Sequence, residues 1–335
     1  EYANMYMDKY PDDDLGYLNA SRYYGNMGNV QKEKDYLFKC IIIDPEYLGG
    51  ECDVDYFSYL LKEINYEELI KKYYDKIRRS HADDDKAIVS FSLAQFYSVH
   101  GLIDSAIYHT DLAISLSTFS QSLSRLSRVY LSKILYYMNM GKEELAKEIF
   151  EKYGDKGYIG ESDLSQAIIY LYDNQYEKAH QFIEEHIERI TREGNLNALS
   201  QPQFLKGLIY QKSNDHENAI IAFEKLLQSS PTYFRYQLMT GQSDELVFLL
   251  MSQSHRELGN VKSAREWIEK AYRIDSFDPH IQYQMALLEY DAGNHAKGVE
   301  YLKYCLEIWK YADEDFPSAV EAKESILNQI NQFLN

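Results

Sequence analysis

The sequence has few of the residues that interrupt helices and few that build covalent or metal frameworks. Only 6 prolines and 16 glycines occur among 335 residues, so long stretches can remain helical without a break. The three cysteines, Cys40, Cys52 and Cys305, form no CxxC pair and have no zinc-ligand spacing. The composition therefore favours a mostly helical protein without a disulfide framework or structural zinc.

The chain also has no long apolar run and no excess of positive charge. No run of about 18 apolar residues is present that would cross a bilayer. The 35 Lys and Arg residues against 53 Asp and Glu residues give a net charge of −18, which repels phosphate backbones and anionic lipid. We expect no nucleic acid partner and no membrane span in this segment. Since the chain opens on Glu1, the compartment stays open, with the cytoplasm slightly favoured over the periplasmic part of an anchored protein.

Motifs that carry catalysis are missing as well. The sequence contains no GxxxxGK[ST], GxGxxG, HExxH or GxSxG pattern. The residues His180, Glu184, Glu185 and His186 lie within two helical turns and resemble metal ligands, but His186 occupies a position that other units bury. We therefore expect no catalytic residues, no metal site and no cofactor. The alternative is a helical enzyme or a metal-dependent carrier domain.

What the sequence does contain is a recurring helical pattern around a turn. Seven turn residues are flanked by apolar residues at helical spacing: Gly28, Gly101, Gly141, Asn174, Asn214, Gly259 and Gly293. Five residues after six of these come small side chains: Ala106, Ala146, Ala179, Ala219, Ala264 and Gly298, whereas the first unit has Glu33. Nine residues after come mostly large ones: Leu37, Thr110, Phe150, Ile183, Phe223, Ile268 and Leu302. Small residues that face large ones predict interlocking antiparallel helix pairs.

This pattern resembles the tetratricopeptide repeat family, most closely at Gly207, Tyr210, Ala219, Phe223 and Pro231. The resemblance implies an all-α fold, a right-handed superhelical solenoid of antiparallel helix pairs with a C-terminal capping helix. The closing stretch from Tyr301 to Gln329 is similar to the ends of repeat regions in bacterial multidomain signalling proteins.

We expect one solenoid over residues 1–335. Its predicted parts are a first repeat at about 11–52, a degenerate hairpin at 53–80, six repeats over 86–310 and a capping helix at 317–335. The degenerate hairpin is placed there because the 73 residues between Gly28 and Gly101 leave room for one additional unit. Its buried face is expected to include Tyr73 and Tyr74, with Lys76 and the neighbouring basic residues in solvent. Cys52, which follows Gly49 and Gly50, is expected in an exposed loop.

In this family the first helix of each hairpin lines a concave groove that holds partner segments. The resemblance places there the side chains ten, six or three residues before the turn residues. The partner-binding candidates among them are Arg22, Phe91, Gln95, Phe204, Gln253, Arg256, Tyr283 and Tyr290. The spacing from Asn214 to Gly259 exceeds the unit of 34 residues by 11, and the insertion adds Tyr233 and Arg235 as further candidates. The alternative is that this segment extends the flanking helices and buries its aromatic residues against neighbouring units.

The sequence thus predicts a noncatalytic scaffold for protein–protein or peptide interaction, of the kind that forms the interaction or sensing part of a larger signalling protein. Its expected partner is a protein or peptide with apolar and some acidic groups, because the proposed groove mixes aromatic side chains with Arg22 and Arg256. The chaperone-binding members of the family use Lys and Asn at these groove positions, and this sequence has neither there, so the resemblance does not extend to that role.

Overall fold

In the parts of the chain that it describes, the computed structural model consists of helices and the short turns within hairpins. It describes residues 2–117, 129–130, 132–134, 136–137, 140, 142–154, 162–194, 199–229 and 244–334. The first half contains α1 (Tyr2–Lys9), α2 (Asp14–Asn26), α3 (Val30–Ile43), α4 (Leu48–Leu60), α5 (Tyr66–Arg79), α6 (Asp83–Val99) and α7 (Ile103–Leu116). Helical residues at 129–130, 132–134 and 136–137 precede α8 (Glu143–Gly154), α9 (Ser162–Tyr172), α10 (Tyr176–Glu193), α11 (Ser200–Lys212) and α12 (His216–Ser229). The last part contains α13 (Asp244–Glu257), α14 (Val261–Ile274), α15 (Pro279–Asp291), α16 (His295–Ile308), a 3₁₀ turn (Trp309–Tyr311) and α17 (Pro317–Leu334). Sequential helices pack in antiparallel pairs, which confirms the predicted all-α solenoid.

Within the described residues, the hairpins turn through one residue with left-handed backbone geometry, and the predicted turn residue Gly141 lies outside those residues. Six of the predicted turn residues have φ between 56° and 77°, and Lys62 has the same conformation with φ of 60° between α4 and α5. The N–H that follows the turn residue donates to the carbonyl five residues earlier, as from Asn29 to Tyr24 at 2.9 Å and from Asp215 to Tyr210 at 2.9 Å. This hydrogen bond ends the first helix in a Schellman motif and points the chain back along it.

Within a hairpin, small residues of one helix accept large residues of the other, as the sequence predicted. Gly207 on α11 lies so close to the Phe223 ring of α12 that an added Cβ would be 2.3 Å from it. Ala219 and Phe223 are both fully buried in this contact. Because no gap remains, the two helices have little freedom to slide.

The first hairpin departs from this pattern at Glu33, which stands where other units have alanine. Its carboxylate lies against Gly25 on α2, which has no side chain to obstruct it. Burial, followed by the charges of Asp53, Asp275 and Glu245, raises the pKa of Glu33 to about 8. Glu33 thus places a carboxyl group that keeps its proton at neutral pH between the two helices of the first hairpin.

Residues 48–79 form the hairpin of α4 and α5, and three features there differ from expectation. Lys76 is buried rather than solvated, and it forms an ion pair with Asp55 and donates to the Glu51 carbonyl at 2.9 Å. Tyr74 is 41% exposed rather than buried, and its hydroxyl lies 3.2 Å from Nε2 of the buried His109. Cys52, expected in an exposed loop, lies inside α4 and is fully buried.

The C-terminal part of the solenoid returns to contact its N-terminal part. Nε1 of Trp309 donates to the Val99 carbonyl at 3.1 Å, and the N–H of Asp313 donates to the Gly101 carbonyl at 3.0 Å. Phe316 is 2% exposed beneath Gly101, in one core cluster with residues of α4 to α7. We call this contact between residues 99–104 and 309–316 the closure contact.

A second contact lies beside the closure contact, nearer the N-terminus. The turn at Gly28 approaches the last turn of α14 so closely that a Cβ would lie 1.7 Å from the carbonyl oxygen of Arg273. Hairpins that are far apart in the sequence therefore touch at two places. The chain forms a closed, rather than an extended, arrangement of hairpins.

Candidate functional site

The candidate groove is built from the first helices of successive hairpins. Side chains six residues before the turn residues follow directly after small residues that are buried in the hairpin contact, as Ser21, Ala94 and Ser252 are. Because adjacent positions on a helix differ by about 100°, the next residue points away from that contact. We call the row of residues six before the turns the inner row.

Three candidates of the inner row are polar and accessible. Arg22 on α2 and Gln95 on α6 are exposed, and Gln253 on α13 is half-buried. Arg22 also lies near Tyr47, where its charge partly opposes the rise in pKa that burial causes in that phenol. Other members of the row are apolar, and Ile168 among them is buried.

Arg256 joins two neighbouring hairpins. Its guanidinium on α13 donates to both carboxylate oxygens of Asp291 on α15, at 2.7 and 3.3 Å. Asp291 was not among the candidates predicted from the sequence, although acids stand two residues before the turn in both hairpins, at Glu257 and Asp291. Since Asp291 offsets the charge of Arg256, this arginine contributes less positive field to the groove than the sequence suggested.

The two tyrosine candidates on α15 pack against the protein itself. The Tyr283 hydroxyl lies 3.5 Å from Oγ of Ser325 on α17, and the ring is half-buried. Burial raises the pKa of Tyr283, while Ser325 and the charge of Arg256 oppose that rise. The Tyr290 ring occupies the space above Gly298, where a Cβ would lie 2.6 Å from it. Both tyrosines remain half-buried, and Tyr283 is the one close enough to Arg256 to feel its charge.

The phenylalanine candidates belong mainly to the core. Phe204 is 5% exposed and packs on Phe223 with ring centroids 6.2 Å apart, so its ring is not available to a partner in this structure. Phe91 is half-buried against the cluster of Ala87, Ala113 and Val129. The remaining two candidates, Tyr233 and Arg235, lie outside the described residues.

The described residues provide little for covalent or metal chemistry. All three cysteines are buried and free, and burial raises the pKa of the Cys52 and Cys305 thiols to about 12, which disfavours the thiolate. Across those parts of the chain, no group of three or more His, Cys, Asp or Glu side chains is arranged to hold a metal ion. In the same parts, no helix has the length and apolar character needed to cross a bilayer.

Comparison with known proteins agrees with this architecture. A family model described as tetratricopeptide repeat matches residues 200–233 and 247–278. A search of curated proteins finds no match.

Among solved structures, one similar chain belongs to the APC/C hetero-tetramer Cut9-Hcn1, with a TM-score of 0.54 and 13% identity. The match covers 93% of this chain and 64% of that one, so the present chain spans less than two thirds of its length. A tetratricopeptide repeat protein from Parabacteroides merdae aligns with a TM-score of 0.49 and 12% identity over 82% of this chain and 98% of its own. The family match thus identifies two tetratricopeptide repeats, at residues 200–233 and 247–278, and the other described helices form hairpins of the same kind.

Proposed function

We propose that the chain is a noncatalytic scaffold, a single solenoid over residues 1–335 that binds a peptide or protein segment along the inner row. The observation that supports this proposal is the register of Arg22, Gln95 and Gln253. All three are polar and accessible at the same place in three different hairpins, next to residues that are fully packed. A row of this kind offers hydrogen bonds to an extended segment without requiring the hairpins to rearrange.

The partner chemistry follows from the charges in the row. Arg22 is exposed, so an acidic group on the partner is favoured near α2, whereas Arg256 is already held by Asp291. The half-buried Tyr283 and Leu208 add apolar contact area. A partner with apolar side chains and a few acidic ones, bound with micromolar affinity of about −8 kcal/mol, fits this surface.

A peptide array that is read with the purified protein tests the proposal. Peptides that bind wild type should bind Arg22→Ala and Gln95→Ala about tenfold more weakly in combination, since both side chains are accessible and neither is part of the core. Lys71→Ala, an exposed change on α5, serves as the matched control. If every binding peptide is retained with unchanged affinity by the double variant, the inner row is not the binding surface.

A further inference from the structure

The outward face of α3 exposes two large apolar side chains that are not buried by packing between the hairpins. Phe38 is 53% exposed and Ile42 is 64% exposed. They stand ten and fourteen residues after the turn residue Gly28, four residues apart on one face of the helix. Isolated apolar residues on a surface need no explanation, but an adjacent pair of this size does.

Comparison with the other hairpins shows that this pair is a departure from the repeat. In all seven other units the same two positions hold polar or charged residues. On α12, α14 and α16 they are Glu224 and Gln228, Glu269 and Arg273, and Lys303 and Glu307, and all six are exposed. Helix α14 has neighbouring hairpins on both sides, yet its two residues remain in solvent. Stacking of repeats therefore does not cover this face, and an additional hairpin beside α3 would leave Phe38 and Ile42 exposed.

The charges beside the pair indicate what binds there. Lys32 and Lys39 are exposed, stand seven residues apart, and lie over the rings of Tyr24 at 4.6 Å and Tyr36 at 5.1 Å. Within the described chain, neither lysine forms an ion pair with a carboxylate, although the whole chain carries a net charge of −18. The Asp35 carboxylate on this face accepts from Nε2 of Gln31 at 2.9 Å. About three turns of helix, from Lys32 to Ile42, thus present an apolar pair beside two available cations.

We propose that the outward face of α3 is a second docking surface, separate from the inner row, which binds an amphipathic helix of another protein. Phe38 and Ile42 contact the apolar stripe of that helix. Lys32 and Lys39 meet acidic side chains that are spaced about seven residues apart beside the stripe. A helix is the complementary shape because the four residues repeat along α3 with the helical period, and a partner helix laid along α3 presents its own side chains at the same intervals.

Two synthetic helical peptides of about 20 residues test this proposal. One carries a leucine stripe flanked by glutamates at seven-residue spacing, and the other has lysine in place of each glutamate. Fluorescence anisotropy at low ionic strength should show wild type binding the acidic peptide at least about tenfold more tightly than the basic one. The double variant Phe38→Ser, Ile42→Ser should bind the acidic peptide about tenfold or more weakly than wild type does. Lys32→Glu with Lys39→Glu should reverse the preference between the two peptides.

Matched controls keep the outcomes distinct. Tyr108→Ser removes an aromatic that is 64% exposed on α7 and should leave binding unchanged. Arg22→Ala with Gln95→Ala should also leave it unchanged, which separates this surface from the inner row. Equal binding of both peptides by wild type, or unchanged binding by the Phe38→Ser, Ile42→Ser variant with its melting temperature preserved, overturns the proposal. Self-association of wild type that is lost in that variant assigns the face to a second copy of this chain and likewise overturns it.

Discussion

At the scale of single residues, a hairpin depends on contacts between a glycine of one helix and an aromatic ring of the other, which occupies the space that a side chain would take. Gly207 and Phe223 form the tightest example in the region that matches the family model. Gly207→Ala forces a methyl group against the ring and should lower the free energy of unfolding by about 1–3 kcal/mol. A urea titration measures the change. Gly49→Ala is the control, because its Cβ would meet only ordinary contacts at 3.6 Å or more and alanine favours the helix. Equal midpoints for both variants would contradict the packing described here.

Glu33 gives a pH-dependent prediction. Its pKa in the folded protein is about 8, above the ordinary value of 4.5, so the folded state retains a proton that the unfolded chain releases. The cost of ionising Glu33 therefore grows as the pH rises from 4.5 through 8, and it is absent below 4.5. Glu33→Gln should be more stable than wild type at pH 9, and the difference should vanish near pH 4.5. Thermal melts over this range measure it, and a pH-independent difference would contradict the burial of this carboxyl.

At the scale of helices, α4 and α5 are joined by a charge pair rather than by the small-and-large contact of other hairpins. Lys76 is 5% exposed and Asp55 is 8% exposed, and Lys72 also reaches Asp55 at 3.0 Å. Lys76→Met removes the positive charge that compensates the buried Asp55 carboxylate, and it should destabilise the protein by about 2–4 kcal/mol. Chemical denaturation against Lys71→Met, an exposed neighbour on the same helix, isolates the effect. Similar losses in both variants would show that Lys76 is not a structural charge.

Features that repeat along the chain could be predicted from the sequence, and features that occur once could not. The turn residues and the small positions recur at fixed intervals, so periodicity alone located Gly259, Ala264 and Ile268 in the right register. The same logic misassigned Lys76, since a basic residue among other basic residues has the pattern of a solvated face. The burial of Phe204 was not predictable either, because residues of the groove and residues between hairpins share the same helical spacing.

At the scale of the whole molecule, the closure contact couples parts of the chain that are about 210 residues apart in sequence. In an open solenoid each repeat contacts only its neighbours, and a change in one repeat stays local. Here Trp309, 1% exposed, packs in one cluster with residues of α6 and α7. No local pattern in the sequence predicts such a contact.

The coupling predicts a long-range effect. Trp309→Ala should increase hydrogen exchange in α6 and α7 as well as in α16, because the Val99 carbonyl and the Phe96 region lose their cover. Trp267→Ala is the matched control, since this second tryptophan packs on Phe248 far from the closure contact. It should loosen α13 and α14 while α6 and α7 keep their protection. Protection of α6 and α7 that is unchanged in Trp309→Ala would mean that the solenoid behaves as an open array.

The closure contact also affects the order in which the protein is completed. Synthesis proceeds from the N-terminus, so α6 and α7 leave the ribosome long before residues 309–316 exist to cover Val99 and Gly101. Until then, the apolar surface that Trp309 and Phe316 later bury remains open to wrong pairings. Repeat proteins with only local contacts have low contact order and avoid this delay. The closure contact therefore forms only after residues 309–316 have been made, and their removal harms α6 and α7 more than the distance along the chain suggests.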